Sequence, residues 1–301
     1  MAIVTRRYAE AGPSNQRLQN VVSPTAVVTR RFPQAVCDVQ IDDAVPGILD
    51  TLDEFMARQG YVYAPLAPES GNPRGYVRGF PTTWASASSV VVGAGDCRSS
   101  DNDLDIVLAA PVVVDIATSG PGGLDVGAEA ASAWYFLYVV ADSAGASPTT
   151  GLISASAAAP TLPAGYDKFR RVGSVRNAAG NFRDFAAYGS GEDRSVQYRD
   201  AVTTRQVVAG GAAVAVTPVA CGGLIPPTSR MGRFQFAQRG TVAVNLYDDP
   251  ANAPAVMQRI LSPNGDIADL FRTSAAREIA YANVAAGGLV DVWVTGYEET
   301  I

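Results

Sequence analysis

A run of acidic side chains is the clearest place in this sequence for metal chemistry. The segment Asp101–Asp105 reads DNDLD and puts carboxylates at every second position, as a calcium loop does. The central glycine and the final glutamate of an EF-hand loop are missing, because Ile106 and Val112 stand at those positions. The segment fits either a turn capped by its own Asp side chains or a calcium site, and the sequence leaves both open. We assign no metal ligand.

Catalytic chemistry has few candidates, because the chain contains no histidine. This excludes Ser-His-Asp and Cys-His nucleophile systems and removes the commonest general base. Carboxylates remain, and the acidic turns at 191–193 and 248–250 could in principle supply a glycosidase pair. Sequence spacing gives no distance between them. We therefore expect a protein that is not an enzyme, with no catalytic residue and no cofactor.

Arginine and aromatic residues are the candidates for contacts between subunits. Arg170, Arg171 and Arg176 fall on one predicted strand, where neighbouring side chains point to opposite faces. Three interpretations fit these arginines. They could lie on a solvated edge strand or form local salt bridges, they could pair with acidic residues of an adjacent subunit, or they could bind a glycan or phosphate. Trp134 and Tyr138 lie on another predicted strand and suit a sandwich core or a subunit seam. We name Trp134, Tyr138, Arg170 and Arg171 as interface candidates.

Short β-branched runs bounded by turn residues predict that these side chains are carried on strands. Trp134–Val140 is the strongest run, and a turn at 142–145 predicts a hairpin with Leu152–Ser154. The fold class predicted is mainly β, with an N-terminal extended segment and one helix followed by antiparallel β-sandwich or jelly-roll-like domains. The predicted domains are 1–65, 66–200 and 201–301. The other predicted strands are 90–92, 105–108, 112–116, 169–175, 182–188, 206–209, 213–216, 233–238, 242–247, 257–261, 267–271, 278–282 and 290–297.

The N-terminal 65 residues contain the one predicted helix. Leu49, Leu52, Phe55 and Met56 follow helical spacing, after acidic residues and a proline that favour a helix start. The apolar stripe either packs on its own domain or joins copies of itself around a symmetry axis. These four residues complete the interface candidates, and we expect the segment to attach the chain to a larger assembly.

Composition argues against nucleic-acid and membrane partners. The net charge of −6 disfavours wrapping by nucleic acid. The uncharged stretch Val207–Pro227 is long enough to span a membrane, but glycine pairs and a proline interrupt it, so two strands joined by a turn are expected. The scattered cysteines Cys37, Cys97 and Cys221 indicate small buried thiols and assembly in a reducing compartment.

A series of elements between residues 85 and 235 resembles one group of tailed-bacteriophage virion structural proteins. The group shows a GLD.G element, a WY..Y strand, a P.LP.GY loop and an RR.GS.R strand in this order. About half of the chain is covered, and the ordered series is more specific than any one element. The elements here are 92–102 (VGAGDCRSSDN), 122–127 (GGLDVG), 134–143 (WYFLYVVADS), 159–166 (APTLPAGY), 170–176 (RRVGSVR), 180–182 (GNF) and 226–229 (PPTS).

The resemblance implies a non-enzymatic component of a phage particle, such as a fibre, spike base or decoration protein on the head or tail. It would be made in the host cytoplasm and assemble into the virion as an oligomer, which we expect to be a homotrimer. Its N-terminal segment would contact capsid, portal-adaptor or tail proteins. Two alternatives stay open. One is a receptor-binding or carbohydrate-binding module that holds a host surface glycan, and the other is a carboxylate-based depolymerase.

Overall fold

The computed structural model describes residues 3–10, 26–31, 36–42, 61–63, 72–189, 191–250 and 257–301. The chain divides into two compact units, Met1–Ser70 and Gly71–Ile301. The described residues form 25 strands and one short 3-10 helix, so the protein is mainly β, as predicted.

The first unit contains a four-stranded antiparallel sheet with strand order β2-β3-β1-β4. These strands lie in the N-terminal segment that was predicted to be extended. The predicted helix, with Leu49, Leu52, Phe55 and Met56, lies outside the described residues. The strands are β1 (Ile3–Glu10), β2 (Ala26–Arg31), β3 (Val36–Asp42) and β4 (Tyr61–Tyr63).

The second unit begins with thirteen strands before residue 200. Most were predicted, and the expected hairpin of β12 and β13 is confirmed by their antiparallel pairing. The segment predicted as one strand at 182–188 is two. The strands are β5 (Val77–Gly79), β6 (Thr82–Trp84), β7 (Ser89–Val92), β8 (Gly95–Arg98), β9 (Asp105–Leu108), β10 (Val112–Ser119), β11 (Gly123–Leu124), β12 (Trp134–Ala141), β13 (Thr150–Ser154), β14 (Lys168–Ala178), β15 (Asn181–Phe182), β16 (Phe185–Tyr188) and β17 (Asp193–Tyr198).

The same unit continues after residue 200 with the 3-10 helix Val202–Arg205 and eight further strands. The prediction of a strand at 213–216 is wrong, because the strand in this region, β19, begins four residues later and contains Pro218. A proline is tolerated there because β19 is an edge strand. The strands are β18 (Gln206–Gly211), β19 (Thr217–Ala220), β20 (Met231–Gln238), β21 (Val244–Tyr247), β22 (Met257–Leu261), β23 (Asp266–Arg272), β24 (Glu278–Asn283) and β25 (Val290–Thr300).

One large sheet crosses the boundary that was predicted near residue 200. Its strands follow the order β15-β14-β12-β13-β11-β10-β7-β6-β16-β17-β25-β20-β23, and β18 also pairs with β25. Two smaller antiparallel sheets have the orders β19-β24-β21-β22 and β5-β8-β9. No helix among the described residues is long and apolar enough to cross a membrane, and the stretch from residue 207 contains β18 and β19.

Strand β12 is covered on both faces, which explains its nearly continuous apolar sequence. Tyr135, Leu137 and Val139 face the main core cluster. Phe136 and Tyr138 alternate with them and face a second cluster that also contains Leu152 of β13. Alternation with a period of two thus supplies both clusters from one strand.

Strand β25 changes its inward-facing side partway along. Val290, Val292 and Val294 are buried, and after a shift in pairing with β20 the buried side chains are Tyr297 and Glu299. One extra residue in a strand produces such a shift and turns the following side chains over. The shift places a carboxylate inside the protein.

Candidate functional site

The buried carboxylate of Glu299 is the centre of a polar cluster inside the second unit. Its side chain is 0% exposed. Oε1 accepts hydrogen bonds from the guanidinium of Arg171 and from Oγ1 of Thr228, the latter at 2.6 Å. Oε2 accepts a hydrogen bond from Oγ of Ser174 at 2.8 Å. The charge is therefore compensated by one cation and two hydroxyl groups, as a buried carboxylate requires. We call Arg171, Ser174, Thr228 and Glu299 the Glu299 cluster.

Tyr297 closes the cluster on its apolar side. Its hydroxyl group donates to the carbonyl oxygen of Ser174 at 3.1 Å. Its ring meets Trp134 edge to face, with centroids 5.8 Å apart. Burial raises the pKa of the Tyr297 hydroxyl well above its ordinary value, so the phenol stays neutral. The hydrogen bond and the ring contact thus fix Tyr297 beside the Glu299 cluster.

Two further arginines bind loops to the sheet through carbonyl oxygens. Arg170 donates from Nη2 to Gly75 at 3.1 Å and to Ile301 at 3.0 Å. Arg194 is 2% exposed and donates to the carbonyl oxygens of Gly79 and Gly189. Burial lowers the pKa of Arg194. Both guanidinium groups therefore hold loops against strands within one chain.

The other two described interface candidates also have partners within the chain. Trp134 donates from Nε1 to the carbonyl oxygen of Gly222 at 2.8 Å. Tyr138 is 1% exposed, donates to the carbonyl oxygen of Ser156 at 2.7 Å, and has its pKa raised to about 12 by burial. Trp134 contacts Tyr297, Arg171 binds Glu299, and Tyr138 lies in the second core cluster. Their role between subunits stays a prediction.

The acidic run at 101–105 is organised around a lysine. Nζ of Lys168, the one lysine of the sequence, lies 2.7 Å from Oδ2 of Asp101 and 2.6 Å from Oδ2 of Asp103. Oγ of Ser99 donates to Asp101 at 2.6 Å and accepts from the backbone N–H of Asp103 and Leu104. The hydrogen bond from Lys168 lowers the pKa of Asp101, and Asp101 in turn raises the pKa of Lys168. Asp105 is bound separately, by Arg98 at 3.1 Å.

Other metal or thiol chemistry has little support in the part of the chain that the structure describes. No group of three or more His, Cys, Asp and Glu side chains there is placed to hold a metal ion. Cys97 and Cys221 are free and buried, as predicted, and burial raises the pKa of each to about 12. Cys37 lies in β3, where side chains fall outside the description.

The acidic turns considered for glycosidase chemistry are used locally. Asp193 accepts a hydrogen bond from Oγ1 of Thr300 at 2.9 Å. Asp248 accepts from the backbone N–H of Asp249 at 2.7 Å and from Nε2 of Gln258 at 3.2 Å. Neither turn lines the pocket around Arg233 or the pocket around Arg176.

One pocket, of about 510 Å³, contains charged groups that are paired within the chain. Arg233 forms a salt bridge with Glu298, and Arg205 lies 3.6 Å from Asp200. Asp269 is paired with Arg259 at 2.8 Å. The lining residues are Gln197, Tyr198, Arg205, Arg233, Phe234, Ala268, Asp269, Leu270 and Thr295.

Another pocket, of about 370 Å³, contains the guanidinium of Arg176, which is not paired with an acidic side chain among the described residues. We call it the Arg176 pocket. Arg183 lines it and is paired with Asp200, and it also donates to the carbonyl oxygen of Thr204 at 2.8 Å. Arg176 has no salt bridge among the described residues, and burial lowers its pKa. The lining residues are Ser132, Arg176, Ala178, Ala179, Arg183, Thr204, Val207, Ala220, Cys221, Gly223 and Leu224.

Sequence reasoning missed Glu299, Thr228 and the pairing of Arg183 with Asp200. The available signal for Glu299 was Gly296, since a glycine inside a strand often marks a bulge. A clean alternation from Val290 would have turned Glu299 outward. No comparable local signal exists for Thr228, which reaches the cluster across 71 residues.

Comparison with known proteins adds no relative. A scan against protein-family models, a search of curated proteins and a search of solved structures each found no match to this chain.

Proposed function

We propose that this chain is a non-enzymatic structural component of a bacteriophage virion: a fibre, spike base or decoration protein of the head or tail. The proposal starts from the ordered motif series between residues 85 and 235. The chemistry of the described residues is compatible with it. In the Glu299 cluster the glutamate is paired with Arg171, and in the acidic run Asp101 and Asp103 are paired with Lys168.

The observation that carries the proposal is that the motif residues contact one another inside the fold. Arg171 and Ser174 come from the RR.GS.R element and Thr228 from the PPTS element, and all three bind Glu299. The strand that carries Arg176 pairs with the WY..Y strand, with Trp134 opposite Arg176. These contacts between motif residues stabilise the fold of the second unit, as expected for a structural component of a particle.

A second internal link joins the GLD.G element to the P.LP.GY loop. Oδ2 of Asp125 accepts a hydrogen bond from the backbone N–H of Thr161 at 2.8 Å. Tyr166, at the end of the loop, donates to the carbonyl oxygen of Pro148 at 3.0 Å. The loop is thereby bound at both ends, and its prolines reduce the entropy lost on ordering it.

At the finer level of fold, we propose that the second unit contains a β-sandwich of the jelly-roll type. One core cluster combines Phe234 and Phe271 of the large sheet with Leu246 and Ile279 of the β19-β24-β21-β22 sheet. Two sheets that share a core in this way fit a sandwich with side chains from both inner faces between them.

The proposed assembly is a homotrimer in which residues 1–65 attach the chain to capsid, portal-adaptor or tail proteins. The apolar stripe predicted at Leu49, Leu52, Phe55 and Met56 is the candidate contact between copies. Burial between copies would then couple assembly to stability.

The test combines a solution mass with an activity assay on the full chain. Light scattering after size exclusion should give three times the 31.3 kDa of one chain, with no release of sugar from bacterial surface polysaccharide. Replacing Leu52 and Phe55 by Ser should lower the mass, whereas the matched control Arg230→Ser, at an exposed residue of the second unit, should leave it unchanged. A stable monomer that cleaves polysaccharide would overturn the proposal.

A further inference from the structure

The Arg176 guanidinium is held in place without an anion. Its central carbon lies 5.8 Å from the centre of the Trp134 ring, which supplies a cation–π contact. The ring itself is fixed by its hydrogen bond to Gly222 and by its edge contact with Tyr297. The guanidinium N–H groups of Arg176 have no hydrogen-bond acceptor among the described residues, and Arg176 is one of the residues that line the pocket.

No acidic side chain among the described residues is paired with Arg176. Arg183, the other cation of the pocket lining, is paired with Asp200, which Arg205 also approaches to 3.6 Å. The lining residues include no carboxylate. Two titratable neighbours act on Arg176, Tyr198 and Arg183. The Tyr198 hydroxyl donates to the carbonyl oxygen of Leu224 at 2.6 Å, and burial raises its pKa, so it stays neutral and supplies no negative charge. A half-buried cation in this setting gains most from a partner that carries one negative charge.

We propose that the Arg176 pocket binds a single carboxylate group. A guanidinium presents a planar fork of N–H donors that matches the two oxygens of a carboxylate, and one carboxylate neutralises one Arg176. The volume of about 370 Å³ is within the range of small-ligand sites, so an entire small acid or an acidic side chain fits.

The carboxylate has two possible sources, a free small acid or an Asp or Glu side chain of another copy of this chain. The chain has a net charge of −6, so its own surface is rich in such groups. The site does not depend on the proposed virion function, because it follows from the pocket alone. If the second source applies, the site adds a polar contact to the proposed oligomer.

Binding is tested with sodium acetate as the probe, at constant ionic strength maintained with sodium chloride. The measurement is the ¹H–¹⁵N NMR shift of the Trp134 indole N–H and of the Gly223 backbone amide in the full chain. We expect saturable shifts in the wild type. We expect binding at least about tenfold weaker in Arg176→Gln, because a hydrogen-bonded charged partner is lost.

Two further variants make the test decisive. Arg230→Gln removes one positive charge at an exposed residue outside the pocket and should bind acetate like the wild type. Arg176→Lys keeps the charge but loses the fork, and should bind more weakly than the wild type and more tightly than Arg176→Gln. Circular dichroism and thermal unfolding establish that each variant is folded. Absence of a saturable shift in the wild type, or equal binding by Arg176→Gln, would overturn the proposal.

The source of the carboxylate is then read from the oligomeric state. If another copy supplies the group, acetate and Arg176→Gln should both lower the mass measured by light scattering, and Arg230→Gln should not. If a free acid is the ligand, acetate binds as described and the mass is unchanged. Either result is consistent with a carboxylate site at Arg176, and the measured mass identifies which group occupies it.

Discussion

At the scale of single residues, two adjacent glutamates of β25 have opposite environments. Glu299 is completely buried and has three hydrogen-bond donors on its carboxylate. Glu298 is 28% exposed and has one salt-bridge partner, Arg233. Water reaches part of the Arg233–Glu298 pair and none of the Glu299 side chain, so removing the charge of Glu299 leaves its partner less well compensated. The two positions therefore provide a matched comparison.

We predict that Glu299→Gln lowers the free energy of unfolding by about 3 kcal/mol or more, because Arg171 loses its buried charged partner. Glu298→Gln should lower it by roughly 1 kcal/mol or less. Urea denaturation followed by circular dichroism measures both. Equal losses in the two variants would show that the Glu299 cluster is not the buried network described above.

Lys168 and Asp101 give the protein a predictable response to acid. The pKa of Asp101 is lowered in the folded protein, so its stabilising effect is present above the unfolded pKa of about 3.9 and is lost as the pH falls below it. The pKa of Lys168 is raised, so its effect is present below about pH 10.4 and is lost at still higher pH. Both contributions are complete between these limits.

We predict that Lys168→Met lowers the melting temperature at pH 7 and that the difference from the wild type shrinks below about pH 4. Lys168→Arg, which keeps the charge, should stay closer to the wild type. Thermal unfolding across this pH range is the measurement. A difference that is the same at pH 7 and at about pH 3 would contradict the assigned ion pair.

At the scale of elements, the positions of most strands of the second unit were predictable because turn residues and β-branched runs are local signals. The β12–β13 hairpin and β22 are examples. Pairings between distant strands were not predictable, because β17 meets β25 across about a hundred residues and no local pattern specifies that contact. The shift in β25 was also missed, because its sequence alternates cleanly up to Tyr297.

Gly296 allows this shift by permitting a close approach between strands. A Cβ atom at this position would lie 2.0 Å from the carbonyl oxygen of Val196 in β17. That oxygen is part of the backbone, so it cannot move aside without displacing the strand. The absence of a side chain at Gly296 therefore sets the path of β25 ahead of Glu299.

We predict that Gly296→Ala lowers the free energy of unfolding by about 2 kcal/mol or more, because the added methyl group forces β17 and β25 apart. The matched control is Gly191→Ala, where no atom lies within 4 Å of the added Cβ, and it should change stability by about 0.5 kcal/mol or less. Urea denaturation measures both variants. A Gly296→Ala protein as stable as the control would contradict the close approach of the two strands.

At the scale of the whole molecule, the motif series and the C-terminal strand form one structure. Arg171 and Glu299 are 128 residues apart in sequence and share a salt bridge. Residue types and alternation predicted the β class and the buried cysteines. The Glu299 cluster could not be predicted in the same way, because it depends on which distant strands become neighbours.

We propose that the chain is a structural part of a phage particle, present in several copies. The decisive test is cryo-electron microscopy of the phage whose genome encodes this chain. We predict that density for the chain occurs in symmetry-related copies on the head or tail, and that residues 1–65 contact capsid, portal-adaptor or tail proteins. A purified particle that lacks the chain entirely would contradict the claim.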